Sequence, residues 1–294
     1  RGLITASDVT AFIDTVSITR VASTIPDTGL PAETQRPVMD TRTSPMAAGV
    51  LGVLKTGDSE PSVDTPVQAF AEWTNPVTGQ AIIFVGGKFS HVQRGAGAPQ
   101  TAHPYLAAFD RSTGAWIDTF RPRLDGTVWD LAIADGKLIV GGQFTNVNGE
   151  ARPAGVAALD PATGSVVPGW RASLSLTSGT MRAFARAVKV VGNAIYIGGT
   201  FNRVTGPDGT VRTAGNLDKL NASNGVPVAG WNGTVNGQVY DIDATSTRMY
   251  AVGKFSTVNG VARRSNAVLE ATNGASVPGM KQMLFTTTDT SRQY

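Results

Sequence analysis

Across 294 residues there is no cysteine, and histidine occurs only twice, at His91 and His103. A disulfide framework, a thiolate zinc site and a cysteine nucleophile are thereby excluded, and imidazole chemistry is confined to one short stretch. Charge is scarce as well: Asp, Glu, Lys and Arg make up 16% of the chain, where a soluble domain carries about 25%. No apolar run approaches the roughly 18 residues that a membrane-spanning helix needs. With 41% hydrophobic residues the chain is nonetheless too apolar to be disordered. The sparse charge and the 34 glycines argue against a helix-rich enzyme or a coiled coil. A folded chain without a transmembrane segment is expected, of a size that all-β domains reach as one unit.

Net charge is only +3, which by itself calls for no nucleic acid or other polyanionic partner. Within the basic set Arg outnumbers Lys by 18 to 7, and Arg suits planar, bidentate contacts to carboxylate and phosphate. The sequence opens at Arg1 rather than Met and shows no basic-plus-apolar leader, so a processed N-terminus, compatible with secretion, is expected.

Self-similarity decides the architecture. An apolar strand ending in Gly-Gly-x-Phe occurs at Ile83–Phe89, Leu138–Phe144 and Tyr196–Phe201, and a weaker copy at Tyr250–Phe255 lacks the first Gly. The Phe positions lie 55, 57 and 54 residues apart. After each comes a second apolar strand, a polar residue and a tight turn: Asp110 with Thr113-Gly114, Asp160 with Thr163-Gly164, Asn221 with Asn224-Gly225, Glu270 with Asn273-Gly274. Ten residues beyond the polar position stands a large apolar residue, Phe120, Trp170, Trp231 or Met280. Before the doublet lies a further strand, visible at Val128–Ala132 and Val239–Asp243. Short strands with Gly turns and no helical periodicity give about four antiparallel strands per unit, which is a β-propeller blade. Gly within a strand admits close approach of another backbone, and Asp or Asn before a turn accepts hydrogen bonds from amides two residues on. These repeated residues therefore read as structural.

The string from Val128 to Trp170, with Gly141-Gly142-Gln143-Phe144, Val147-Asn148-Gly149, Arg152 and Ala158-Leu159-Asp160, resembles the delta-60 type of β-propeller repeat found in secreted and cell-surface bacterial proteins. Kelch repeats are the second choice, set apart by the Phe after the doublet and by the Val-Asn-Gly turn, which recurs at Val258-Asn259-Gly260. The resemblance covers residues 67–282 and implies an all-β propeller at the cell surface or outside the cell. It is specific for fold and says little of activity. One domain is expected: strand-like segments Val9–Val21 and Val50–Thr56 with a long loop between them in residues 1–66, four blades over 67–282, and a C-terminal stretch 283–294. If those N-terminal strands pair with Gln282–Thr287, a fifth blade closes the ring and removes exposed edges. The alternative is a larger ring cut from a longer protein.

In a meander, alternate loops share a face, so the connectors between blades lie beside the excursions that follow each doublet. That register gathers Arg94, Arg121, Arg123, Arg152, Arg171, Arg203, Arg212, Arg263 and Arg264 on one side against few acids, a basic face suited to an anionic surface polymer. Arg152, Arg212 and Arg263 occupy equivalent repeat positions and also read as bridges between blades. Two longer loops are candidate recognition elements: His91, Arg94, His103 and Tyr105 around Gly95–Pro99, and Arg203, Asp208 and Arg212 around Pro207-Asp208-Gly209. On the innermost strands, Asp130 and Asp241 fall 14 residues before the blade Phe, beside Trp129 and Tyr240, with Arg186-Ala187 at that place in the third blade. Paired carboxylates near aromatics suit a glycosidase, but repetition at one register reads as structure. No catalytic triad, metal cluster or phosphate loop is evident, and no cofactor is expected beyond a calcium ion, whose oxygen ligands need no fixed motif. The sequence thus predicts a secreted or surface binding or adhesion module for a glycan, an anionic envelope polymer or a protein. A carbohydrate-active enzyme and a structural component of an extracellular appendage or virion-like assembly are the alternatives.

Overall fold

A computed structural model describes residues 51–54, 67–94, 99–151 and 154–279, with backbone alone for Leu51–Leu54 and Arg94. The chain divides into residues 1–44 and residues 45–294, and everything described belongs to the second part. The expectations for Val9–Val21, Arg152, Met280 and Gln282–Thr287 lie outside the described residues.

The described chain is all-β, with antiparallel sheets and no α-helix among the described residues. Strand β1 (Leu51–Leu54) precedes a first blade of β2 (Val67–Thr74), β3 (Ala81–Gly87), the hairpin β4 (His91–Arg94) and β5 (Gln100–Ala102), and β6 (Leu106–Asp110). The second blade is β7 (Val128–Ala134), β8 (Lys137–Gly142) and β9 (Val156–Leu159), followed by a connector strand β10 (Ser173–Ser175). The third is β11 (Phe184–Val191), β12 (Ala194–Thr200), the hairpin β13 (Arg203–Thr205) and β14 (Val211–Thr213), and β15 (Leu217–Asn221). The fourth is β16 (Gln238–Ala244), β17 (Arg248–Lys254), the hairpin β18 (Thr257–Val258) and β19 (Val261–Ala262), and β20 (Asn266–Glu270). Each blade is a three-stranded meander, β2-β3-β6, β7-β8-β9, β11-β12-β15 and β16-β17-β20, and the innermost strands β2, β7, β11 and β16 neighbour one another in that order. This is a propeller-like succession of blades.

The expected fourth strand of each blade is present only as one bridge, Phe109 to Trp116, Leu159 to Val166, Leu220 to Pro227 and Leu269 to Ser276. The turn before it is made as the sequence predicts: Asp110, Asp160 and Asn221 each accept the amide two residues on. After the bridge a second turn leads the chain away, closing on a positive-φ Gly in three of the blades (Gly169, Gly230, Gly279), so the outer edge stays short. A short edge is one way of blunting a sheet against further pairing.

The Gly doublet has two separate causes. A β-bulge lies opposite it in every innermost strand, between Val67 and Ala69, Val128 and Asp130, Ala185 and Ala187, and Val239 and Asp241. The bulge drives a carbonyl against the second Gly: a Cβ on Gly199 would fall inside contact with the Phe184 oxygen, and one on Gly253 with the Gln238 oxygen. The first Gly is needed by the next blade. A Cβ on Gly86 would meet Val128 at 2.5 Å, on Gly141 Val188 at 2.7 Å, and on Gly198 Ile242 at 2.5 Å. In the fourth blade this position is Val252, which is 47% exposed.

Three apolar cores fill the seams between successive blades, around Phe84 and Leu131, around Ile139 and Val188, and around Tyr196 and Ile242. The doublet Phe residues are buried here, as Phe144, Phe201 and Phe255, while Phe89 joins a fourth core at the rear of the first blade. Each such side chain contributes about 1.5–3 kcal/mol by leaving water, against about 0–1 kcal/mol for an exposed ion pair. The seams therefore hold the array.

A repeated backbone clasp was not foreseen from sequence. Tyr105, Gly155, Asn216 and Ser265, just before the third strand of each blade, all have positive φ. Each donates its amide to the carbonyl of the doublet Phe and accepts the amide of the second doublet position. Gly155 and Asn216 enter the left-handed region readily, whereas Tyr105 and Ser265 do not, so no one residue type marks the position in sequence.

Candidate functional site

The excursions after the doublets are mostly hairpins rather than loops, and the connectors hydrogen-bond to them. Strand β1 pairs with β4, β10 with β13, and single bridges join Leu124 to Val147 and Val235 to Val258. Connector and excursion thus lie side by side, stitched by the Val-Asn-Gly Asn residues. Asn148 accepts the Arg123 amide and donates to the Gly164 carbonyl, and Asn259 does the same with Thr234 and Gly274.

Of the arginines gathered there, several are occupied. Arg171 pairs with Glu150 at 3.0 Å. Arg121 donates to the Asp118 carbonyl and lies 5.4 Å above the Trp116 ring. Arg212 is half-buried, donating to the Val228 carbonyl and to Asp218, whose side chain is 1% exposed. The pair lies within the third blade, not between blades as its repeat position suggests. Replacing Arg212 with alanine strands a buried carboxylate, and a loss of about 3 kcal/mol in urea-melt stability is expected, where a surface role would leave the melt unchanged. Arg123, Arg203 and Arg264 are exposed. Arg94 stands at the end of β4 opposite Leu51.

The two longer loops are largely structural. His103 is buried edge-on against Trp116 at 5.4 Å, and burial, helped by the nearby Arg121 charge, lowers its pKa to about 4. It is therefore neutral at physiological pH. His91 shares a hydrogen bond with Ser90 at 2.9 Å, and Tyr105 serves the backbone clasp. Asp208 caps its own turn by accepting the amide and hydroxyl of Thr210, which lowers its pKa. Among the described residues no three His, Asp or Glu side chains gather as a metal site.

The innermost-strand residues do come together. Gln68, Trp129, Asp130, Arg186, Tyr240 and Asp241, drawn from all four blades, line one cavity of about 220 Å³. All lie in the first half of their strands, the half that the connectors lead into. Gln68 carried no repeat signal and was missed in the sequence. The Arg186 guanidinium lies between two aromatic rings, 5.2 Å from that of Trp129 and 5.0 Å from that of Tyr240. Stacking of a cation on aromatic faces holds this side chain in place. Asp130 accepts the Leu131 amide with one oxygen at 2.8 Å and the Val188 amide of the third blade with the other at 2.7 Å. Burial nevertheless raises its pKa to about 6, with the Asp241 charge adding to the rise. Asp241 holds the same register, opposite Val252 as Asp130 is opposite Gly141. One of its oxygens accepts the Ile242 amide at 2.8 Å, and it is exposed. The indole Nε1 of Trp129 has no acceptor among the described residues.

No protein-family model matches the chain, and no curated protein is similar to it. Among solved structures it is similar to the computationally designed Ika4 protein (15% identity, 67% of this chain and 91% of that one, TM-score 0.39). It is also similar to the WD40 β-propeller domain of Doa1 (13%, 72% and 67%, TM-score 0.30) and to BamB from Moraxella catarrhalis (13%, 71% and 92%, TM-score 0.26). Likeness at these levels carries no argument about this chain, whose fold rests on its own strand order.

Proposed function

We propose that the chain is an extracellular recognition module that binds an acidic surface glycan through the side on which connectors and excursions pair. The observation that carries this is the pairing itself, which gathers the exposed Arg123, Arg203 and, just beyond β19, Arg264 on the side from which the connectors enter the innermost strands. Exposed cations on one side attract a polyanion over a range set by salt. Binding of the purified protein to an acidic capsular polysaccharide, measured by biolayer interferometry, is expected to weaken about tenfold, or 1.4 kcal/mol, when the three arginines become serine. Unchanged binding, with unchanged salt dependence, would remove the reading.

A hydrolase reading has one observation in its favour, the raised pKa of Asp130 beside Asp241, since a glycosidase needs one protonated and one ionised acid. Against it, both oxygens of Asp130 accept backbone amides and so hold a seam. We further propose a closed ring of five blades of the delta-60 type. Two features support more than four: β1 stands where the connector of a preceding blade stands in the third blade, and Tyr250 and Val252 are exposed on the forward face of the fourth. A closing blade there must present smaller residues than the Val and Leu that press on Gly86.

A further inference from the structure

The cavity at the starts of the innermost strands carries a combination of groups that selects among ligand classes. Two carboxylates, Asp130 and Asp241, and one guanidinium, Arg186, share about 220 Å³ with Gln68 and two aromatic rings. An incoming carboxylate or phosphate meets Arg186 but also both acids. An ammonium group meets the acids but also Arg186, whose position between Trp129 and Tyr240 is fixed. An anion thus leaves two like-charge contacts and a cation one in a partly desolvated space, where such contacts are costly.

An uncharged polyol meets neither penalty. Its hydroxyls donate to the exposed Asp241 and accept from Arg186 and Gln68. A pyranose adds apolar C–H surface to cover the hydrocarbon of Trp129 and Tyr240 that lines the cavity. The volume suits one sugar unit rather than a chain. We infer that this cavity is a subsite for a single uncharged sugar residue, which inserts while the acidic groups of the same polymer meet the arginines outside. The inference rests on the glycan reading above and assigns it a second, charge-independent contact.

Isothermal titration separates the two. The probes are uncharged tetrasaccharides of β-1,4-linked glucose, mannose and N-acetylglucosamine, with tetragalacturonate as the acidic counterpart. At least one uncharged probe is expected to bind equally at low and high salt, and to bind about tenfold more weakly to Asp241→Asn. The same substitution removes one negative charge and is expected to strengthen tetragalacturonate binding. Failure of all three uncharged probes, or binding indifferent to Asp241→Asn, overturns the subsite. If salt-dependent polysaccharide binding persists in that case, the loop-side reading stands alone; if it is absent too, both fall.

Discussion

Placing valine at Gly141 is expected to cost about 3 kcal/mol, the upper part of the range for overpacking a filled core, and to lower the melting temperature by roughly 10 °C. A lone Cβ there already comes within 2.7 Å of Val188 and 3.4 Å of Ala185 in the next blade. The γ-methyls of valine have nowhere to go unless the second and third blades part. The reciprocal change, Val252→Gly, is expected to cost only about 1 kcal/mol, the price of glycine in an exposed strand. Both positions sit one residue before the second doublet position, yet one faces a packed seam and the other is 47% exposed. Calorimetry on the two variants measures whether the glycine is demanded by the neighbouring blade or by its own strand. If the strand itself demanded glycine, Val252→Gly would gain about as much stability as Gly141→Val loses, and that outcome would overturn the seam account.

The second large effect is expected in the pH dependence conferred by Asp130. Its pKa in the folded chain is raised to about 6 from 3.8, chiefly because burial penalises the carboxylate more than its two amide donors and Lys189 favour it. Below about pH 3 the carboxyl is protonated whether the chain is folded or not, and no penalty exists. As pH rises through 6 the folded state must hold the charge, so stability present at low pH is lost. A difference of about two pKa values corresponds to about 3 kcal/mol. Asparagine cannot ionise, so the stability of the native protein relative to Asp130→Asn is expected to fall by about that much between about pH 2.5 and about pH 7. Asp125, Asp208 and Asp243, whose pKa values are lowered, act in the opposite sense and at lower pH, and they cancel in the comparison. Denaturant titrations at several pH values supply the test, and a difference that does not vary with pH would contradict it.

The blade repeat was legible because its causes are local and recur: a bulge that needs glycine, a seam that needs glycine, an Asp or Asn that makes a turn. The spacing of Phe89, Phe144, Phe201 and Phe255 records those causes in sequence. The hairpins of the excursions were not read, although Val204-Thr205 and Val211-Arg212 alternate as strands do, because inserted turn residues break the pattern. The cavity was legible in part. Trp129, Asp130, Arg186, Tyr240 and Asp241 share a register, but Arg186 looked like a departure from an acidic theme, and its place between two rings depends on neighbouring blades. The basic side was overcounted for a similar reason. A list of arginines does not show that Arg212 and Arg171 have carboxylates of their own.

The glycine on one blade and the Val–Leu, Ala–Val or Val–Ile pair on the next form a complementary joint, and this restricts how such a chain can lengthen. A tandem copy of the second or third blade carries a recess ahead and a filler behind, so it fits between existing blades without further change. A copy of the fourth, with Val252 filling its own recess, accepts no ordinary blade ahead of it. Growth by duplication is therefore permitted upstream of the fourth blade and blocked immediately after it, and the substitution at one residue fixes where the ordinary repeat must stop.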